Sequence, residues 1–317
     1  MPRLVSVGNV VVDIVMRVDA IPEPGGDVIA SASEITAGGG LNTMVAAARD
    51  GLDVAFAGQY GTGPFGDVVR AALTSSGVEV VQPGLDDVDS GYCVALVDAT
   101  TERTFVTSVG AEGRLGRADL DRIDLRPDDT VFVSGYGLAH PVNGAAIAAW
   151  LPAIPSSVRV VFDPSPLIAT LDSRVLAAVM ARTDVVSANG REARLMAPGA
   201  AGLSDAVTVI AASARGTALA RDGAAGCWVV EPGATATLVP GFTVDAVDSN
   251  GAGDAHDGVL VAALSRGESL LDAVRRANAA AALAVTRRGP ATAPSAGETD
   301  AFLIEHGYSG SEAATRR

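Results

Sequence analysis

The residues Val247-Asp248-Ser249-Asn250-Gly251-Ala252-Gly253-Asp254-Ala255-His256-Asp257-Gly258-Val259-Leu260 decide how the rest of the chain is read. A polar, glycine-rich turn runs straight into the apolar segment Val259-Leu260-Val261-Ala262-Ala263-Leu264, whose residue types suit a buried helix. Helix starts leave several backbone N–H groups without partners and carry a partial positive charge. Gly251, Ala252 and Gly253 have little side chain to screen those donors, so an anion can approach the backbone closely. Asp254 then adds a carboxylate beside that anion. A phosphate cradle with a base next to it is what phosphoryl transfer needs. The same letters also describe an ordinary helix start with Asp254 as N-cap. Asp248, Asp254 and Asp257 crowding one turn weigh against that reading, because burying several carboxylates is costly unless something uses them.

With 317 residues, the chain has room for one sizeable α/β domain or two small ones. Hydrophobic residues make up 48% but aromatics only 4%, so Ala, Val and Leu build the interior. No apolar run approaches the roughly 20 residues that span a bilayer. The N-terminus enters Leu4-Val5-Ser6-Val7-Gly8 with no basic region or cleavage site, so no signal peptide is expected. Cys93 and Cys227 are far apart and flanked by apolar residues, which reads as buried free thiols in a reducing cytoplasm. His140, His256 and His306 are scattered and form no metal-ligand pattern with cysteine. A net charge of −14 argues against nucleic acid or anionic membrane as a partner. All 23 basic residues are arginine. Without lysine there is no P-loop, no protein-kinase strand lysine and no Schiff base. Any phosphate must be held by backbone amides and arginine.

Outward from the central stretch, residues 3–13 read as one buried strand ending in Asp13, at the kind of strand end where doubly wound sheets bind ligands. Residues 28–36, 91–97 and 103–108 are short and alternating, too polar for a buried parallel sheet, and are expected to form a small antiparallel sheet. Ala37-Gly38-Gly39-Gly40-Leu41-Asn42 is a second glycine turn at a helix entrance. It lacks the G-x-G-x-x-G dinucleotide fingerprint. Beyond residue 120, strands and helices alternate (130–134, 145–151, 158–162, 175–181, 184–187, 192–196, then 207–210, 217–220 and 228–231), the signature of a mostly parallel sheet with helices on both faces. Residues 270–286 form a long alanine-rich helix containing Asn278, stopped by Gly289-Pro290. The 309–317 tail is small and polar and is expected to fray. No repeat or linker divides residues 1–308.

With both glycine turns and the lysine-free α/β pattern in hand, the chain resembles the ribokinase-like (PfkB) carbohydrate kinase family from the Gly8–Asp13 region to Gly289. Ala37 to Asn42 is similar to the first family signature, and Asp248-Ser249-Asn250-Gly251-Ala252-Gly253-Asp254 to the second. Asn189-Gly-Arg-Glu192 resembles the Asn-x-x-Glu motif, and Asp222-Gly-Ala-Ala-Gly226 the nucleotide loop. The resemblance implies a doubly wound, mostly parallel sheet with helices on both faces plus a small β lid, drawn from about 14–36 and 91–108. It implies ATP-dependent phosphorylation of a hydroxymethyl group on a sugar or nucleoside. By analogy Asp254 is the base, and Gly251, Ala252 and Gly253 form the anion hole. Asp13, Gly38, Gly39 and Asn42 hold sugar hydroxyls, while Asn189, Arg221, Gly223, Gly226 and Asn278 line the ATP site. Glu192 orients Mg²⁺ through water, and Asp248 and Asn250 offer backbone to a monovalent cation such as K⁺. The lid closes over the sugar and is expected to join a homodimer in the cytoplasm.

The chain departs from the family at several positions. Val11 replaces an asparagine, Gly39 a lysine, Ala37 a glycine, Ser249 a threonine and His256 a phenylalanine. Arg221 takes the place of a threonine-like residue, and Ala293 stands where a serine often helps hold the cation. The first three count against ribose itself as acceptor. His256 reads as packing or local hydrogen bonding. Two other classes compete: a non-catalytic sugar or nucleotide sensor on the same fold, and an NAD-dependent oxidoreductase, which lacks its fingerprint.

Overall fold

The computed structural model describes residues 1–100 and 102–308. The 309–317 tail lies outside the described residues. In chain order the strands are β1 (Arg3–Ser6), β2 (Val10–Arg17), β3 (Ala32–Gly39), β4 (Asp53–Phe56), β5 (Glu79–Val80), β6 (Tyr92–Val97), β7 (Arg103–Ser108), β8 (Thr130–Ser134), β9 (Arg159–Asp163), β10 (Val185–Asn189), β11 (Thr217–Arg221), β12 (Gly226–Val230) and β13 (Thr237–Pro240). The larger sheet runs β13-β12-β11-β10-β9-β8-β1-β4-β5. Its strands pair in parallel except where β12 meets β11 and β13.

Successive side chains of a strand face opposite ways. Val5, Val131, Val133 and Phe162 therefore pack on one face of the sheet with Ile147 and Trp150. Leu4, Phe132, Val161 and Leu219 pack on the other with Met44, Leu260 and Val261. Because helices cover both faces, the central strands read as nearly unbroken apolar runs. The carboxyl ends of β8 to β11 carry Ser134, Asp163, Asn189 and Arg221 to one edge, and the register places Ser134 opposite Asp163 and Asn189 opposite Arg221.

The second sheet has the order β3-β2-β6-β7, with β2–β3 and β6–β7 antiparallel and β2–β6 parallel. Here the expectation for residues 3–13 is corrected. The chain leaves the main sheet after Ser6, breaks at Gly8-Asn9, and re-enters as β2 in the small sheet. Asp13 thus lies in the middle of a strand of the small sheet, not at the end of a central one. An eleven-residue strand would also be about twice the usual length. β3 begins at Ala32 and takes in Ala37, Gly38 and Gly39, which the sequence had suggested as turn. Residues 207–210 lie inside the helix Leu203–Ser213. Both cysteines are free; Cys227 is buried, but Cys93, on the lid, is only half-buried. No helix among the described residues is long and apolar enough to cross a membrane.

Candidate active site

The site begins where two helices touch. Leu41–Arg49 starts after Gly40, whose N–H donates to the Asn9 carbonyl at 2.9 Å. Ala252–Ser265 starts after Gly251, which has φ 74°, a left-handed conformation suited to glycine. The helices cross at Gly258, where an added Cβ would lie 2.3 Å from the Thr43 carbonyl oxygen. One turn earlier on the same face, that close approach brings Asp254 onto the first helix. Thr43 Oγ1 donates to Asp254 Oδ1 at 2.7 Å, and Asn42 Nδ2 donates to Oδ2 at 3.3 Å.

Asp254 caps nothing; Gly251 holds the N-cap position and the carboxylate turns to Asn42 and Thr43. The ordinary helix-start reading therefore does not describe it. Burial pushes its carboxyl up to about 6, with the Thr43 and Asn42 hydrogen bonds pulling the other way. The N–H groups of Gly251 and Gly253 have no backbone acceptor among the described residues, while that of Ala252 reaches the Ser249 carbonyl at 3.3 Å.

On the lid side, β2–β3 pairing sets Val10 opposite Gly39 and Val11 opposite Gly38. Asp13 lies over Gly38 so closely that an added Cβ would stand 2.0 Å from its Oδ2. Burial pushes the Asp13 carboxyl up to about 6. Asn42 Oδ1 is buried without a hydrogen-bond partner, a polar atom that calls for a ligand or water.

On the other side is a cavity of about 420 Å³. Asn189, Arg221, Gly223, Gly226 and Asn278 all line it, together with Ala252 and Gly253. Its far wall is apolar, with Phe242, Val244, Ala281, Ala282 and Val285. Asn189 caps its helix: Oδ1 accepts from the N–H of Arg191 and of Glu192, and Nδ2 donates to Glu192 Oε1 at 2.6 Å. Asn278 Nδ2 donates to the carbonyls of Val239 and Pro240, so it braces the cavity wall. His256 is buried and lines the cavity. Among the described residues neither ring nitrogen makes a hydrogen bond, though Nδ1 comes within 3.6 Å of Asp257 Oδ1, so of the two expected roles packing is the one seen.

Arg221 reaches inward from the end of β11 to meet Asp257, Asp163 and, at 3.9 Å, Glu192. Burial works against the Asp257 charge, but Arg221 overrides it and holds that carboxyl below its usual range. Burial pushes Asp163 up despite Arg221, and Glu192 is raised by burial too. The other end of the turn is tied by Asp248, which accepts from the N–H of Asn250 and of Gly289, and from lid residue Arg103 at 3.3 Å.

The structure thus brings Asn42 to Asp254 and sets Asp13 over Gly38. It places Asn189, Arg221, Gly223, Gly226 and Asn278 around one cavity with Ala252 and Gly253, while Asp248 ties Asn250 to Gly289. Thr43, Asp163, Ser187 and Arg103 belong to the same constellation and were not selected as site residues. Thr43 was adjacent to a selected residue, and Asp163 directly follows the expected element 158–162. Nothing local marked Ser187 or Arg103.

Comparison with known proteins gives the family and the fold. A family model described as "pfkB family carbohydrate kinase" matches residues 1–296. An uncharacterised sugar kinase of Escherichia coli is 32% identical over 95% of this chain and 92% of its own length. An ATP-dependent ribose-1-phosphate kinase of Halopiger xanaduensis is 33% identical, over 96% of this chain and 99% of its own. A crystal structure of a putative ribokinase II from E. coli with ATP and Mg²⁺ superposes with a TM-score of 0.81 at 22% identity, covering 96% of this chain and all of the other.

Proposed function

The chain belongs to the pfkB family of carbohydrate kinases, and from that premise we propose that it moves the terminal phosphoryl group of ATP to a hydroxymethyl group of a sugar or sugar-like acceptor, with Asp254 as base. One observation carries this reading: Asp254, oriented by Thr43 and Asn42, stands at a helix start where the Gly251 and Gly253 amides have no backbone acceptor among the described residues, and Ala252 and Gly253 of that same turn line the cavity. In the proposed reaction the P–O bond to ADP breaks as the bond to the acceptor oxygen forms. The hydroxyl proton passes to Asp254 late, since a carboxylate cannot ionise an alcohol beforehand. Gly251, Ala252 and Gly253 steady the charge on the moving group. Asp13, Asn42, Gly38 and Gly39 hold acceptor hydroxyls, and Asn189, Arg221, Gly223, Gly226 and Asn278 surround the nucleotide. Residues 1–308 work as one kinase domain.

The donor set around Glu192 fits an indirect metal role. Both of its oxygens accept from Asn189, each keeping a lone pair for water, and no cluster of three ligands holds a metal directly among the described residues. Bound Mg²⁺ would neutralise phosphate charge, held mainly by the nucleotide. A K⁺ ion held by the backbone of Asp248 and Asn250 would sit next to the Asp248 carboxylate that pairs with Arg103; comparing activity with and without K⁺ tests this.

Exposed Ile35, Phe105 and Val106 on the lid support a homodimer through that sheet. A screen of pentoses, hexoses, sugar phosphates and nucleosides with Mg-ATP is the direct experiment. Transfer to at least one acceptor is expected. Failure of all, with nucleotide binding intact, would instead favour a non-catalytic sensor.

A further inference from the structure

Arg221 lies beneath the first turn of the helix Ala252–Ser265. A Cβ built on Gly253 would stand 3.5 Å from its Nη2 and 3.6 Å from Cζ. One edge of the guanidinium is clamped. Nη1 donates to Asp257 Oδ1 at 2.5 Å and to Ser187 Oγ at 2.9 Å, and Ser187 donates to the same Asp257 oxygen at 2.5 Å. Nη2 donates to Asp163 Oδ2 at 3.1 Å. A guanidinium has five N–H donors. Nε makes no hydrogen bond to any described residue, so donors remain on a side chain that lines the nucleotide cavity. The side chain keeps 13% of its surface exposed, so its unpaired donor has room to meet a ligand or water.

We propose that Arg221 is a catalytic residue that donates from its unclamped edge to oxygens of the transferring phosphoryl group, and that Asp257, steadied by Ser187, is the positioning residue that aims it. The inference rests on the kinase reading above. Arg221 gives up no proton; the acceptor's proton still goes to Asp254 and ADP still leaves. Negative charge on the moving group's oxygens is met by amides on one side and a fixed cation on the other. Arginine suits this role because it stays charged when buried and its planar fork is set in advance.

The test pairs calorimetry of ADP and of a non-hydrolysable ATP analogue with turnover, in wild type, Arg221→Gln, Asp257→Asn and the double variant. Arg221→Gln should weaken analogue binding about tenfold, keep ADP affinity within about threefold, and lower kcat by about 10²–10³. Asp257→Asn should lower kcat with ADP binding kept. In the Arg221→Gln background the same change should lower it no further, since nothing remains to be aimed. The double variant removes both charges of the pair, so it reports even where Arg221→Gln alone folds poorly. Equal losses for ADP and analogue, or kcat within about threefold of wild type in the double variant, would overturn the assignment. Wild type that binds neither nucleotide would defeat the kinase reading itself.

Discussion

Thr43 Oγ1 donates to Asp254 Oδ1 across 2.7 Å, joining residues 211 positions apart in the chain. That bond fixes which carboxylate lone pairs remain for an acceptor hydroxyl. It also favours the ionised form, opposing the burial that pushes the group up to about 6. A base nearer neutrality accepts a proton more readily than an ordinary carboxylate while still being ionised at pH 7.

Replacing Thr43 by Val keeps the shape and removes the donor. A hydrogen bond to a charged group is worth about 1.5–3 kcal/mol, so the acid limb of the rate profile should move up by about one to two pH units. Turnover at pH 6.5 should therefore fall more than at pH 8.5. An unmoved limb would show that Thr43 does not tune the base.

Two carboxylates near 6 shape the acid side of the profile. Both Asp13 and Asp254 are raised by burial, and in the proposed reaction both must be ionised in free enzyme to hold and activate the acceptor. Log kcat/KM should climb with a slope approaching about two below pH 6, from two required ionisations. Asp13→Asn should lower kcat/KM and reduce that slope to about one.

Gly38→Ala places a methyl group 2.0 Å from where Asp13 Oδ2 now lies. The carboxylate must swing away. Acceptor KM should rise about tenfold or more, in line with loss of a charge-assisted hydrogen bond. ADP affinity should not change, because the nucleotide cavity lies on the other side of Asp254. Calorimetry and steady-state kinetics together separate the two.

Arg103 and Asp248 link the lid to the catalytic turn. The arginine is substantially exposed, so Arg103→Gln should change stability by less than about 1 kcal/mol. If the pair latches the lid, acceptor KM should rise several-fold, and the wild-type enzyme should lose the same advantage in 0.5 M salt while the variant is insensitive.

The parallel core and the glycine turn before Ala252 were legible because they rest on local signals, apolar runs and small residues before a helix, whereas Ala37-Gly38-Gly39 reads as a turn but ends β3. Asn42 and Asp254 were selected individually, yet their meeting depends on Gly258 letting two helices touch, which no local pattern encodes. The break at Gly8-Asn9 was missed because valines on both sides suit either sheet. Arg221 was visible as a departure, but its clamp of Ser187, Asp163 and Asp257 comes from three separate segments meeting at one sheet edge. Spacing along the chain cannot reveal such a meeting.

Single-turnover transfer from ATP in Asp254→Asn, on an acceptor found by the screen, tests the assignment of the base most directly. The rate should fall by about 10²–10⁴ while ADP affinity stays within about threefold. Turnover close to wild type would contradict the account, however well the remaining residues fit.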